Sequence, residues 1–373
     1  MKVLLAAGGS AGHIEPALTL ADTLTAEDPG IEVVVVGTDR GIENDLVPPR
    51  GYRLETVPAT ALPRRVNTDL VRAPYRVGVS VRAVSKLLSD EAPDVVVGFG
   101  GYVALPAYLA ARRRGIPLVV HEANAHAGIA NRVGARLTEW VAQAVPGSIK
   151  QAATIGMPMR KEIRELAHAS PELRRTMAMA AREHFNLAQQ APTLLVFGGS
   201  LGARHINETM EQAQRQFAVQ GVQILHITGA QGQGLTSAWP PMRQSNEPAY
   251  VSVPYVHDMH RAFAAADLVV CRAGATTCAE LSALGIPAIY VPLPIGNGEQ
   301  VLNAQPLIAA GGGVIVNDAD LNATELVARV IGILADTDGL AQMGSAARSC
   351  GVLDADERLA DIVRAAATLG RHS

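Results

Sequence analysis

Short runs of β-branched and aliphatic residues recur along the chain, separated by longer stretches in which apolar residues return every three or four positions. Val3–Ala7, Val33–Val36, Val95–Phe99 and Leu118–His121 read as buried strands, with helical patterns such as Ala17–Ala26 between them. After a polar, helix-prone stretch at Lys161–Gln190 the pattern restarts with Leu194–Phe197, Ile224–Ile227, Leu268–Cys271 and Ala288–Val291. Continuous apolar strands that alternate with helices predict parallel sheets.

Proline punctuates the chain at Met157-Pro158, so the boundary between two domains is expected there, with one domain over 1–160 and the other over 161–353. Residues 354–373 read as a helix that, by analogy with two-domain enzymes, joins the first domain. Both halves open alike. Leu5-Ala6-Ala7-Gly8-Gly9-Ser10-Ala11-Gly12 and Val196-Phe197-Gly198-Gly199-Ser200-Leu201-Gly202-Ala203 are each strand, glycine loop and helix. The fold class is therefore α/β, with two Rossmann-like domains expected to face each other.

The chain has 373 residues, 48% hydrophobic and 18% charged, which is enough for two globular domains without a bias to disorder. No apolar run approaches the about 20 residues that span a bilayer, so any membrane contact is expected to be peripheral and the location cytoplasmic. Met1–Ala7 meets Gly8-Gly9 at once and reads as a strand, not a leader. Cys271, Cys278 and Cys350 lack metal-ligand spacing and read as small core residues. Charge is uneven: residues 1–160 hold 17 basic against 15 acidic side chains, and the remainder 15 against 20. In the first half, Arg64, Arg65, Arg72, Arg76, Arg82 and Lys86 interleave with Leu62, Leu70, Val71, Tyr75, Val77 and Val81. That segment suits an anionic bilayer surface, and equally a solvated helix face. Nothing points to nucleic acid.

Several motifs carry candidate chemistry. Glycines 8, 9 and 12 let backbone N–H groups approach a ligand, and a helix beginning near Pro16 would aim its positive end at the same place. The competing reading is an ordinary tight turn. His13 follows directly and is either a proton acceptor or a capping residue. His121-Glu122-Ala123-Asn124 ends a strand, where α/β sheets place ligand-binding groups. In Cys271-Arg272-Ala273-Gly274-Ala275-Thr276-Thr277-Cys278-Ala279-Glu280 a strand turns into a helix whose threonines can cap it. Glu280 then suits either a ribose or a solvated surface. Pro292 to Asn303 is a rigid loop entering a helix, with amides able to read sugar hydroxyls. Asp318 and Asp320 read as a turn and cap before a helix at Leu321–Leu334 rather than as metal ligands.

Taken in order, Gly8-Gly9-Ser10-Ala11-Gly12-His13, Gly98-Phe99-Gly100-Gly101-Tyr102, His121 to Asn124, Gly198 to Arg204, Cys271 to Gly274 with Glu280, and Glu299-Gln300 through Asn303 resemble the bacterial lipid II-forming N-acetylglucosaminyltransferases. The resemblance runs through nearly the whole chain. It implies the GT-B fold, UDP-N-acetylglucosamine held mainly by the second domain, and lipid I, the undecaprenyl-linked muramoyl-pentapeptide, approaching the first domain at the cytoplasmic face of the cell membrane. By motif position it places Ser10, Ala11, Gly12, Asn124, Arg160, Ser200, Val256, Ala275, Thr276, Thr277, Cys278, Ala279, Glu280 and Gln300 along the donor site, and Gly100, Gly101 and Tyr102 on the acceptor side. Val256 would meet uracil through its backbone, Glu280 the ribose, Ser200 and the helix start at Thr276-Thr277 the diphosphate, and Gln300 the transferred sugar. The chain departs from the family pattern at Ser10-Ala11, where Thr-Gly is usual, and at Met157, where Asn is usual.

The reaction expected from these features is direct displacement at the anomeric carbon with inversion, His13 acting as base and Glu122 as the alternative base. No metal and no cofactor enter, because helix N-termini would meet the departing diphosphate. A UDP-N-acetylglucosamine 2-epimerase, another lipid glycosyltransferase, and a non-catalytic nucleotide-sugar sensor are the alternatives.

Overall fold

The computed structural model describes residues 1–39, 41–58, 68–199, 202–229, 248–294 and 297–370, with side chains from residue 75 onward in the third of these segments. The chain forms two compact units, Met1–Arg160 with Val352–Ser373, and Lys161–Gly351.

The first unit is built on a seven-stranded parallel sheet of order β3-β2-β1-β4-β5-β6-β7. The strands are β1 (Lys2–Ala7), β2 (Glu32–Gly37), β3 (Arg53–Thr56), β4 (Val95–Gly100), β5 (Leu118–Glu122), β6 (Val141–Gln143) and β7 (Ala153–Thr154). The helices are α1 (Ala11–Glu27), α2 (Glu43–Leu46), α3 (Thr68–Glu91), α4 (Ala104–Arg114) and α5 (Ile129–Gly134). Because strand side chains alternate between faces, β1 divides its residues between two cores. Val3 and Leu5 pack with Ile14, Leu18 and Leu24 of α1, whereas Leu4 and Ala6 pack with Val84 and Leu88 of α3 and Ala107 and Tyr108 of α4.

The second unit has a six-stranded parallel sheet of order β10-β9-β8-β11-β12-β13. Its strands are β8 (Thr193–Phe197), β9 (Gln223–Ile227), β10 (Tyr250–Val253), β11 (Leu268–Cys271), β12 (Ala288–Tyr290) and β13 (Gly313–Ile315). Its helices are α6 (Lys161–His168), α7 (Pro171–His184), α8 (Arg204–Val219), α9 (Met259–Ala265), α10 (Ala275–Leu284), α11 (Glu299–Ala310), α12 (Ala323–Ala335) and α13 (Thr337–Ser349). Leu194 and Val196 of β8 share a core with Ile206, Met210 and Phe217 of α8 and Leu326 and Val330 of α12. Both sheets thus carry the same doubly wound order, in which the chain starts at the centre and winds outward in both directions.

α14 (Ala355–Gly370) belongs to the first unit. Its Leu359, Ala360, Val363, Ala366 and Ala367 enter the α1 side of that core, and Thr23 Oγ1 donates to the buried carboxylate of Asp356 at 2.6 Å.

Three details differ from the sequence reading. α1 begins at Ala11, five residues before Pro16, because the N–H groups of His13 and Ile14 already donate to the Ser10 carbonyl at 3.1 and 3.3 Å. Lys161–Gln190 is broken into α6 and α7 by Ser170, whose hydroxyl caps Leu173 N–H ahead of Pro171. The helix after β13 is capped by Asn322, which accepts from Glu325 N–H at 3.0 Å, while Asp318–Asp320 form a separate 3₁₀ turn.

Candidate active site

In the first unit the strand order reverses between β1 and β4, and the loops leaving their carboxyl ends diverge to leave a crevice. Both loops are glycine-rich for a steric reason. Gly9, Gly100 and Gly101 have φ of +85°, +99° and +84°, and a Cβ on Gly101 would overlap the Gly8 carbonyl. The Tyr102 ring lies over Gly9, with Cε2 3.1 Å from where a Cβ would stand.

His13 occupies the first turn of α1, with Ala11 and Gly12 half-buried beside it. Its Nδ1 is 3.0 Å from Ser10 Oγ, and its opposite edge, Cδ2 and Nε2, packs against Gly100, each 3.2 Å from the position of a Cβ there. The ring is therefore held from both sides. If Nδ1–H donates to Ser10, Nε2 carries the lone pair that a base needs.

Glu122 has a different environment. It is 2% exposed, and its Oε1 accepts from Asn124 N–H at 2.8 Å and Asn124 Nδ2 at 3.3 Å. Its Oε2 accepts from Gly128 N–H at 3.0 Å and Asn131 Nδ2 at 2.9 Å, and Tyr108 Oη donates to Asn131 Oδ1 at 2.6 Å. Four N–H donors around one carboxylate tie the loop after β5 to the first turn of α5. His121 is also buried, with Nε2 3.0 Å from the Gly156 carbonyl, and burial pushes its pKa down.

A cavity of about 900 Å³ lies at the carboxyl ends of β2 and β3, lined by Gly9, Thr38, Tyr75, Arg76, Val79 and Tyr102 among others. Tyr75, Val79 and Tyr102 are exposed apolar side chains there, and Arg82 and Lys86 are exposed further along α3. Leu62, Arg64 and Arg65 lie outside the described residues, as do the side chains of Leu70, Val71 and Arg72.

The second unit repeats the switch between β8 and β11. Gly199 and Gly202 have φ of +112° and +82°, and a Cβ on Gly202 would overlap the Thr228 carbonyl. Ser200 lies outside the described residues. On the other side of the switch α10 starts after Gly274, which is the N-cap and offers no side-chain cap. The threonines expected to cap it stand inside the first turn instead, and the buried Thr276 Oγ1 has no hydrogen-bond partner among the described residues. The first-turn amides at Ala275, Thr276 and Thr277 have no intrahelical acceptor, so the helix start presents N–H groups and a hydroxyl together. Cys278 and Glu280 are buried, Glu280 at 6% exposure, which sets aside the solvated-surface reading of that carboxylate. Ala279 lies between them on the same helix.

α11 is tied to this loop. Asn303 Nδ2 donates to the Ala273 carbonyl at 3.3 Å, and Gln300 Oε1 accepts from Leu293 N–H at 2.9 Å. Val256 is half-buried in the segment after β10, and Arg160 is half-buried immediately before α6.

Sequence reasoning missed three supporting groups. Asp318 makes an ion pair with Arg272 and meets His205. His226 and Asn207 bond to each other at 3.0 Å beneath the second glycine loop, and Asn207 Nδ2 donates to the Thr228 carbonyl at 2.9 Å. Glu43 is wholly buried under the first glycine loop. Each of them has at least one partner on an element distant in sequence, which spacing along the chain does not reveal. Among the described residues no group of three or more His, Cys, Asp or Glu side chains could hold a metal ion, and no helix is long and apolar enough to cross a membrane.

Residues 3–143 match the glycosyltransferase family 28 N-terminal domain and residues 193–359 the glycosyltransferase family 28 C-terminal domain. The protein is thus a glycosyltransferase. It is 52% identical over 322 residues to the UDP-N-acetylglucosamine–N-acetylmuramyl-(pentapeptide) pyrophosphoryl-undecaprenol N-acetylglucosamine transferase of Acidothermus cellulolyticus, covering 86% of each chain. It is 50% identical over 325 residues to the protein of the same name from Streptomyces coelicolor, again covering 86% of each. The chain belongs to this family of N-acetylglucosamine transferases. The crystal structure of Acinetobacter baumannii MurG matches with a TM-score of 0.74 at 28% identity, over 98% of this chain and 99% of that one. UDP-GlcNAc 2-epimerase from Neisseria meningitidis, at 14% identity over 98% of this chain and all of that one, with a TM-score of 0.65, shares the fold alone.

Proposed function

We propose that the protein moves N-acetylglucosamine from UDP-N-acetylglucosamine to the 4-hydroxyl of the muramoyl sugar of lipid I, forming lipid II, with inversion at the anomeric carbon. The observation that carries this reading is membership of that transferase family along most of the chain, combined with a glycine loop at the switch point of both sheets.

In this reading the first unit takes the acceptor and the second the donor. The muramoyl hydroxyl approaches past Gly100, Gly101 and Tyr102, and His13 Nε2 takes its proton as the oxygen attacks the anomeric carbon. UDP leaves toward the start of α10, where the amides of Ala275 to Thr277 and the Thr276 hydroxyl meet the charge that grows on the diphosphate. Glu280 holds the ribose, the Val256 backbone the uracil, and Gln300 the transferred sugar, with Ser10 to Gly12, Asn124, Arg160, Ser200, Cys278 and Ala279 completing the donor surroundings. Glu122 serves by holding Asn124, the loop that follows it and the start of α5, to which its hydrogen bonds run. The exposed Tyr75 and Val79, with Arg82 and Lys86, support a peripheral contact of the first unit with an anionic membrane at its cytoplasmic face.

The test is UDP release from UDP-N-acetylglucosamine in EDTA, with and without a short-chain lipid I analogue, followed by mass analysis of the lipid. Acceptor-dependent release with one added N-acetylhexosamine is the expected result. Donor consumption without acceptor would replace this reading with epimerisation or hydrolysis, and a strict need for a divalent cation would remove the metal-free mechanism.

A further inference from the structure

The first glycine loop rests on a carboxylate. Glu43 opens α2 and is fully buried. Its Oε1 accepts the Thr38 N–H at 2.6 Å and the Thr38 hydroxyl at 2.9 Å, and its Oε2 accepts the Gly9 N–H at 3.4 Å. Glycines surround it. A Cβ on Gly37 or Gly41 would overlap the Glu43 side chain, and one on Gly8 would stand 3.2 Å from Oε1. The ends of β1 and β2 and the start of α2 thus close around a single anionic side chain. A carboxylate is taken out of water only where donors replace its hydration, and here the donors are two backbone amides of the loops and the Thr38 hydroxyl.

The location relates this cluster to the chemistry. Gly9 is followed by Ser10, whose hydroxyl orients His13, and Gly9, Thr38 and Gly41 also line the cavity that Tyr102 borders. We propose that Glu43 is a positioning residue for glycosyl transfer: by holding the Gly9 amide it sets Ser10, and through Ser10 the imidazole of His13, while fixing one wall of the acceptor-side cavity. This rests on the reading of His13 as the base. A glutamine at this position keeps the shape but replaces one oxygen with an NH₂ group. With its amide oxygen toward Thr38, that NH₂ faces the Gly9 N–H donor to donor, and the loop has to move.

The experiment is a double-mutant cycle of Glu43→Gln and His13→Ala in the full-length protein, read by kcat, donor KM and amide hydrogen exchange of residues 8–10. Glu43→Gln is expected to lower kcat about 10- to 50-fold, to leave donor KM within about twofold, and to speed exchange at Gly9. In the His13→Ala background the same substitution is expected to change kcat by less than about twofold, because the group through which Glu43 acts is absent. A Glu43→Gln enzyme with normal kcat, beside an inactive His13→Ala, would overturn the proposal and leave the base reading standing. Equal losses in both backgrounds would also overturn it, since Glu43 would then act independently of His13. Normal turnover by His13→Ala would instead remove the base reading, and this route to catalysis with it. Should Glu43→Gln fail to fold, Thr38→Val removes one donor to Oε1 at constant bulk. Its kcat is expected to fall about two- to fivefold only where His13 is present, and an equal fall without His13 would count against the proposal.

Discussion

Nη1 of Arg272 lies 2.5 Å from Oδ1 of Asp318, joining the loop after β11 to the turn after β13. The same nitrogen donates to the carbonyls of Val291 and Pro292, each at 3.1 Å, and His205 Nδ1 reaches the other Asp318 oxygen at 3.2 Å. With side chains 10% and 15% exposed, this pair is shielded from solvent on most sides. Asp318→Ala leaves the guanidinium buried without its counter-charge, and stability is expected to fall by about 2–3 kcal/mol. Urea unfolding would report this as a lower midpoint at unchanged slope. Donor KM is expected to rise as well, because Arg272 leads directly into α10.

Ser10 and His13 give a graded pair of substitutions. His13→Ala is expected to lower kcat by about 10²- to 10⁴-fold with little change in donor KM, the signature of a group needed in the transition state. Ser10→Ala keeps the imidazole and removes the partner of Nδ1, so a smaller loss, about 3- to 10-fold in kcat, is expected. Steady-state UDP release measures both. Equal losses from the two would mean that Ser10 does more than orient the ring.

Glu280 is buried one turn and a half into α10. If it accepts the ribose hydroxyls in ground and transition states alike, Glu280→Ala raises donor KM about tenfold with kcat nearly unchanged. Inhibition by UDP should weaken in parallel, since UDP keeps the ribose and lacks the transferred sugar. Unaltered inhibition would place the ribose elsewhere.

His226 makes the second unit sensitive to acid. Burial holds its pKa down at about 4, against 6.5 for an unperturbed imidazole. Its contribution is fully present above pH 6.5. Below that the unfolded chain takes up a proton that the folded chain refuses, so stability declines until about pH 4 and is then independent of this group. A window of that width corresponds to about 3 kcal/mol. His226→Gln is expected to flatten the dependence of unfolding free energy on pH between 6.5 and 4, measured by urea titration at fixed pH values. An unchanged slope there would assign the acid sensitivity to other groups.

The central strands were legible because a strand buried on both faces must be apolar throughout, and Val3–Ala7, Val95–Phe99 and Leu194–Phe197 satisfy that without ambiguity. Edge strands such as Arg53–Thr56 and Ala153–Thr154 carry polar residues and left no such mark. Glycine loops were visible, but not what holds them. The Pro16 signal placed the start of α1 too late, since proline tells where an N–H is missing and not where the first turn closes. Asp318 read as local turn chemistry because its partner Arg272 is remote in the chain, and Glu43 drew no reading at all because the Gly9 amide it holds lies 34 residues earlier. Long-range partners of charged residues are the part of a site that periodicity and spacing do not encode.

The return of α14 to the α1 side of the first core sets the order in which the molecule can be finished during synthesis. Residues 161–351 are continuous and can close as soon as they clear the ribosome, whereas the unit that starts the chain waits for its last helix. Until then α1, β4 and β5 lack the cover that α14 provides on that side of the core, so the earliest-made part of this transferase is the last to be sealed. The newly made chain therefore passes through an interval in which a half-built core is open to chaperones, to proteases and to other copies of itself.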